Sequence, residues 1–188
     1  MSSTRPIDVE TIQNVLAKAD ILYTETEVNQ AIDQMAVSIY EALYNQHPVC
    51  LSVMLGGLVP TGQLLPRLNF PLELDYIHAT RYRGATQGND LHWLKYPNAD
   101  IKGRTVLIID DILDEGFTLQ AIVDYCKKME AKAVLTAVLV EKQHDRRQGL
   151  AHADFTGLKV PDRYVFGFGM DYQEQLRHVA GIYAVKGL

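Results

Sequence analysis

Two stretches of uninterrupted apolar residues constrain this chain more than any other feature. Residues 105–109, Thr-Val-Leu-Ile-Ile, run straight into Asp110-Asp111, and residues 133–140 form a second run of the same length class. Neither alternates apolar with polar, as a strand with one wet face would. Strands covered on both faces of a parallel sheet read this way. Parallel neighbours need crossovers, and a helical pattern stands between the two runs: residues 118–128, with Leu119, Ile122, Val123 and Cys126 turned inward. The expectation is an α/β fold with a mostly parallel central sheet flanked by helices.

The remaining segments fit that plan. Val9, Ile12, Val15 and Leu16 fall on one helical face and predict a helix over residues 4–19. Thr24 and Glu27 have capping-box spacing, and Val28, Ile32, Met35, Ala36, Ile39 and Leu43 continue the stripe behind them. A buried strand over residues 49–54 runs into Gly56-Gly57, with a helix expected over 61–68. Residues 72–82 predict a strand with Leu72, Leu74, Tyr76, His78 and Thr80 on one side. The polar, glycine-punctuated run 83–90 predicts a mobile loop ahead of Leu91-His92-Trp93-Leu94. His78 and His92 are read as structural. Shorter strands are expected at 164–168 and 182–185. No repeat, low-complexity tract or linker divides the chain, so residues 1–188 are read as one domain, long enough to bury its own core.

Charge and cysteine usage narrow the function classes. Eighteen Lys and Arg against 23 Asp and Glu give a net charge of −5. Nucleic acid and anionic membrane are therefore not expected partners, because phosphate-rich surfaces demand concentrated positive charge. The densest apolar runs are strand-sized and too short to span a bilayer. Asp8 and Glu10 interrupt the N-terminal region, so no secretory leader is expected. Cys50 and Cys126 each lie inside an apolar stretch, which suggests buried thiols in a reducing, cytoplasmic compartment.

The chemistry is concentrated after the first apolar run. Asp110, Asp111, Asp114 and Glu115 place four acids in six residues, followed by Gly116, Phe117 and Thr118 at a helix start. In open α/β sheets, ligands bind beyond the carboxyl ends of strands. Successive backbone N–H groups from 114–118, the Thr118 hydroxyl and the helix N-terminus would form an anion cradle suited to a phosphate monoester. Carboxylates beside such a cradle suit a phosphorylated sugar, whose hydroxyls donate to them. The plain alternative is an acidic loop capping a helix. An aspartyl-phosphate receiver domain is a further rival, but this chain is long for it and its acids come late. Neither Gly-x-Gly-x-x-Gly nor a Gly-Lys-Ser/Thr loop occurs.

Residues 106–119 resemble the phosphoribosyl-diphosphate-binding motif of type I phosphoribosyltransferases, and residues 49–185 resemble the 6-oxopurine, hypoxanthine-guanine branch of that family. The resemblance implies a small hood built from the N- and C-terminal segments and a mobile lid at about residues 81–92. It implies transfer of 5-phosphoribosyl from phosphoribosyl diphosphate to N9 of hypoxanthine or guanine, with Mg2+. Asp114 would be the general base at purine N7. Asp110 and Asp111 would face the ribose diol, and Glu115, Gly116, Phe117 and Thr118 would hold the 5-phosphate. Glu115 and Phe117 depart from the commoner pattern, and Glu115 is expected to point away from the phosphate. Leu55 and Gly56 would contact pyrophosphate, with a cis peptide expected at Leu55–Gly56 and a leucine where many members carry lysine. Taken alone, Gly56-Gly57 reads equally as a strand-to-helix turn. Tyr82 of the lid and Arg177 would also meet pyrophosphate, with Arg81 and Arg83 adding charge.

The 161–172 segment resembles the family's closing motif. Lys142 would donate to the purine 6-oxo group, Tyr164 would stack on the base, and the Val165 backbone would meet its N1/C2 edge. Asp171, together with Asp110, would hold the metal. The Lys142–Tyr164 pair argues against adenine. A xanthine-preferring enzyme and a non-catalytic ligand sensor on the same fold are the alternatives, and a homodimer or homotetramer is the implied assembly.

Overall fold

The computed structural model describes residues 8–81 and 91–188. Tyr82, Arg83 and the rest of residues 82–90 of the expected lid (about 81–92) lie outside the described residues, as does the start of the first predicted helix. The elements run α1 (Val9–Lys18), β1 (Asp20–Tyr23), α2 (Glu25–Leu43), β2 (Val49–Met54), α3 (Leu58–Leu64), then a 3-10 turn over Leu65–Arg67. They continue β3 (Glu73–Arg81), β4 (Leu91–Lys95), β5 (Thr105–Leu113), α4 (Phe117–Lys128), β6 (Ala133–Gln143), β7 (Phe155–Pro161), β8 (Val165–Phe166) and β9 (Ile182–Ala184).

Six strands form the main sheet in the order β4-β3-β2-β5-β6-β7, parallel throughout except for β4. Strand pleating explains why the apolar runs do not alternate. Cys50, Leu107 and Ile109 join Ile32, Met35 and Ile39 of α2 and Leu64 of α3 in one core. Their strand neighbours Val49, Leu51, Val106 and Ile108 join Leu119, Ile122 and Cys126 of α4 in another. Successive residues of one strand thus feed opposite layers. The Thr24–Glu27 capping box is present at the start of α2.

Several sequence expectations shift. The helix expected over 61–68 begins earlier, at Leu58, and tightens into the 3-10 turn. Strand β3 keeps Leu74, Tyr76 and Thr80 on one side as expected, and that side is the exposed one, while Ile77 and Ala79 on the other are buried. The reason is that Ile77 packs into the core beneath α4, which the alternation of large residues does not reveal. Strand β7 escapes notice because Gly157 and Pro161 dilute its pattern, as an edge strand permits. Trp93 stacks on Tyr96, and both rings lean on Tyr125 of α4.

The second sheet, β1-β9-β8, is antiparallel and joins chain segments more than 140 residues apart. Fully buried Phe166 stacks on Tyr183, and Ile12, Val15 and Leu16 of α1 pack against Phe166, Leu176 and Val185. Arg163 ties this sheet to Asp20 at 2.8 Å, and the Tyr23 hydroxyl donates to the Lys159 carbonyl. The turn after β8 reaches the carboxyl ends of β2 and β5, where Gly169 lies against Gly56 and Asp111.

Candidate active site

From β2 the chain goes to β3 on one side, and from β5 to β6 on the other. The carboxyl ends of β2 and β5 therefore flank the topological switch point, where the loops diverge and leave a crevice. The β2 loop starts with a cis peptide at Met54–Leu55, one residue before the expected Leu55–Gly56 and at the last residue of β2. Leu55 is 55% exposed. Gly56 lies against Asp111: a Cβ there would stand 2.1 Å from Asp111 Oδ2.

The β5 loop is shaped by Gly116, which has φ +84° and forms the N-cap of α4 without any side-chain cap. A side chain at Gly116 would meet the Leu150 carbonyl at 2.5 Å. The loop is backed by a second strip of chain. Gln148 N and Gly149 N donate to the Glu115 carbonyl at 3.1 and 3.0 Å, and Leu150 N donates to the Gly116 carbonyl. The Glu115 carboxylate lies 3.5 Å from Arg146. Phe117 and Thr118 form the first turn of α4, so its uncapped end is presented at the mouth of the loop. The 148–150 support was not anticipated, because nothing in that stretch has a periodic pattern.

Asp110 and Asp111 lie within β5, two residues short of its end at Leu113, and both are almost fully buried. Burial and the neighbouring Asp111 charge push the Asp110 carboxyl well above the ordinary range. Burial raises Asp111 as well, opposed by its hydrogen bond with Asp110 and by Arg177. Arg177 joins two segments: it lies 2.5 Å from Asp171 Oδ1 and 3.8 Å from Asp111 Oδ2, and donates to the Gly169 carbonyl at 2.6 Å. Gly169, at φ +107°, is packed so closely that a Cβ would stand 2.2 Å from the Gly56 carbonyl. Gly56, Asp111, Gly169, Asp171 and Arg177, from three chain segments, thus make one cluster.

Asp114 occupies the opposite side of the loop. Its Oδ2 accepts from Lys142 Nζ at 2.9 Å, and its Oδ1 is 2.7 Å from His144 Nε2. Burial pulls Asp114 up, but the hydrogen bonds and charge of Lys142, followed by those of His144, hold it below the usual carboxylate value. The Lys142 side chain is 11% exposed, whereas Asp114 is 39% exposed and open to a ligand. Asp162 faces Lys142 at 4.0 Å and pairs with Arg146 at 2.5 Å. Two residues further on, Tyr164 presents a ring 39% exposed, set edge-on to Tyr172 with centroids 5.5 Å apart. Val165 is buried in β8 opposite Ala184.

The structure therefore gathers Asp110, Asp111, Asp114, Glu115, Gly116, Phe117, Thr118, Gly56, Lys142, Asp171 and Arg177 around the two strand ends. His144 was missed in the sequence. The available signal was its place two residues after Lys142, which strand alternation turns to the same side.

A phosphoribosyl transferase domain model matches residues 18–175. The hypoxanthine-guanine phosphoribosyltransferase of Bacillus subtilis is 28% identical over 167 residues, 88% of this chain and 92% of its own length. The bifunctional protein TilS/HprT of Listeria innocua is 32% identical over 94% of this chain, which spans only 27% of that longer protein. A solved structure of hypoxanthine phosphoribosyltransferase from Trypanosoma cruzi, in complex with the product IMP, superposes with a TM-score of 0.82 at 27% identity, covering 90% of this chain and 95% of that one. With a family model covering most of its length and the loops at its sheet switch point arranged as described, the chain belongs to the phosphoribosyl transferase domain family.

Proposed function

We propose that this protein is a purine-salvage enzyme that transfers 5-phosphoribosyl from phosphoribosyl diphosphate to N9 of hypoxanthine or guanine, giving IMP or GMP and pyrophosphate. The single observation that carries this reading is the Asp114–Lys142 pair beside the uncapped start of α4. A carboxylate acceptor and an ammonium donor 2.9 Å apart match the N7–H and 6-oxo edge of an oxopurine. A 6-amino group, itself a donor, would leave Lys142 opposed by another donor.

The residues divide the work. The first turn of α4, with Gly116, Phe117 and Thr118, receives the 5-phosphate. Asp110 and Asp111 accept from the ribose hydroxyls, and Tyr164 stacks on the base while the Val165 backbone meets its edge. Lys142 leaves Asp114 for the 6-oxo group, and Asp114 Oδ2 accepts the N7 proton as N9 bonds to C1 of the ribose and pyrophosphate departs. A positioned carboxylate of this kind supplies about 10²–10⁴-fold. Leu55, Gly56 and Arg177 hold pyrophosphate.

Among the described residues no cluster of three or more His, Cys, Asp or Glu side chains stands ready to hold a metal. Mg2+ takes one or two carboxylates and completes its shell with water and substrate phosphates. Asp171 and Asp110 are the residues assigned to it, and the ion would offset the charge of the departing diphosphate.

The two sheets work as one domain, the smaller acting as a hood. Exposed Leu74 and Tyr76 on β3 support self-association as a dimer or tetramer. Burial pushes the Cys50 and Cys126 thiols up to about 12, so they are inert, consistent with a cytoplasmic protein. No helix among the described residues is long and apolar enough to cross a membrane.

The test is an assay of the purified chain with phosphoribosyl diphosphate, Mg2+ and each of hypoxanthine, guanine, xanthine and adenine, reading pyrophosphate release. Turnover with hypoxanthine or guanine and none with adenine is expected. Release with adenine, or with none of the four, overturns the reading.

A further inference from the structure

His144 lies just past the end of β6, with a side chain only 3% exposed. Its two ring nitrogens have different partners. Nδ1 faces the Arg146 backbone N–H at 3.0 Å, and Nε2 faces Asp114 Oδ1 at 2.7 Å. A backbone N–H can only donate, so Nδ1 must carry the lone pair. The proton of the neutral ring then resides on Nε2 and points at the carboxylate. One backbone contact therefore fixes the tautomer, as a hydrogen bond to the remote nitrogen does in many histidine sites. The surroundings hold the loop in place. Arg146 spans Asp162 and Glu115, and Arg147 donates to Glu141, to the Ala151 carbonyl and to the Lys142 carbonyl.

The two donors on Asp114 are not equivalent. Lys142 is a flexible chain bound to Oδ2, and the reaction proposed above calls it away to the base. His144 is buried and bound to the other oxygen. We propose that His144 is a positioning residue for the base: its Nε2–H holds Asp114 Oδ1 so that Oδ2, once Lys142 leaves, is aimed at the purine proton. This rests on the reading that Asp114 takes that proton. The step balances without a new reactant: the purine N–H bond breaks, the O–H bond forms at Oδ2, and the His144 proton stays where it is. Without His144, a carboxylate deprived of Lys142 would lose both side-chain hydrogen-bond partners seen on it among the described residues.

The test compares two substitutions of equal length in the full chain, His144→Gln and His144→Met. Glutamine carries an N–H at the position of Nε2, separated from Cβ by the same number of bonds, whereas methionine carries a methyl group. The expected result for H144M is a fall in kcat of about tenfold to a hundredfold, with the KM for phosphoribosyl diphosphate within about twofold of wild type. H144Q should recover kcat to within about threefold of wild type. Thermal melts should place both variants alike. Equal loss in the two variants, or kcat unchanged in H144M, overturns the proposal while wild-type activity leaves the enzymatic reading intact. Wild-type protein inert toward all four bases overturns that reading, and the role of His144 falls with it.

Discussion

The two halves of the site are built in opposite ways. The half proposed to take the sugar and its phosphate is one continuous stretch, from Asp110 to Thr118, running from a buried strand into a helix. The half proposed to face base and pyrophosphate is assembled from the loop after β2, the end of β6, and the turns between β8 and β9. In the first, geometry follows from local backbone rules: a strand ends, a left-handed glycine turns the chain, and a helix begins uncapped. In the second, geometry depends on ion pairs and close backbone contacts between residues far apart in sequence, such as Arg177 between Asp111 and Asp171. A contiguous site tolerates little change in its backbone. An assembled one is sensitive to each of its fastenings.

Asp114 tests the boundary, since it belongs to the first half by chain and to the second by contact. Asp114→Asn should lower kcat by about 10²–10⁴-fold. The KM for phosphoribosyl diphosphate should stay within about twofold of wild type in steady-state assays. A large rise in that KM would instead make Asp114 part of the phosphate half alone. Next in size is Asp171→Ala, which releases Arg177 from its 2.5 Å partner. Loss of a charge-assisted hydrogen bond is worth about 1.5–3 kcal/mol. The KM for phosphoribosyl diphosphate should therefore rise by about tenfold to a hundredfold while that for the base holds. Equal rises in both would show that the turns between β8 and β9 had collapsed as a whole.

The smallest effect concerns the strip of chain that backs the phosphate loop. Glu141 is buried at the end of β6 and receives Arg147 at 3.1 Å. Burial pulls its carboxyl up, but hydrogen bonds from Arg147, His152 and Thr156 hold it below its ordinary value of 4.5. A carboxylate depressed in the folded state contributes stability above its unfolded pKa and loses it as pH falls through the folded one. Wild-type Tm should thus decline as pH is lowered below about 4.5. Glu141→Gln should flatten that part of the profile and lower the neutral-pH Tm, by about 2–4 °C per kcal/mol lost. An unchanged acid limb in the variant would remove Glu141 from the account of how this strip is fastened.

The same division governs what was legible in advance. Strands β2, β5 and β6 and helices α2 and α4 were evident from apolar runs, stripes and a capping box, since each signal is written within a dozen or so residues. The tight turn at Gly116 into α4 was legible for the same reason. Strands β1 and β7 were not, because their pairing partners supply most of their order. Lys142, Asp171 and Arg177 became meaningful only through resemblance; their spacing alone matches that of any solvated charge.

By itself, the order of residues determined the parallel α/β layering, the acidic loop at the end of β5 and the helix behind it. These rest on pleat, helical period and backbone sterics, which act between near neighbours. Tertiary structure alone decided that β3 buries Ile77 and not Tyr76, that Gly169 lies against Gly56, and that His144 reaches Asp114. Those choices depend on which distant surface is available to bury a methyl group or satisfy a carboxylate, and that surface exists only once the sheets have come together.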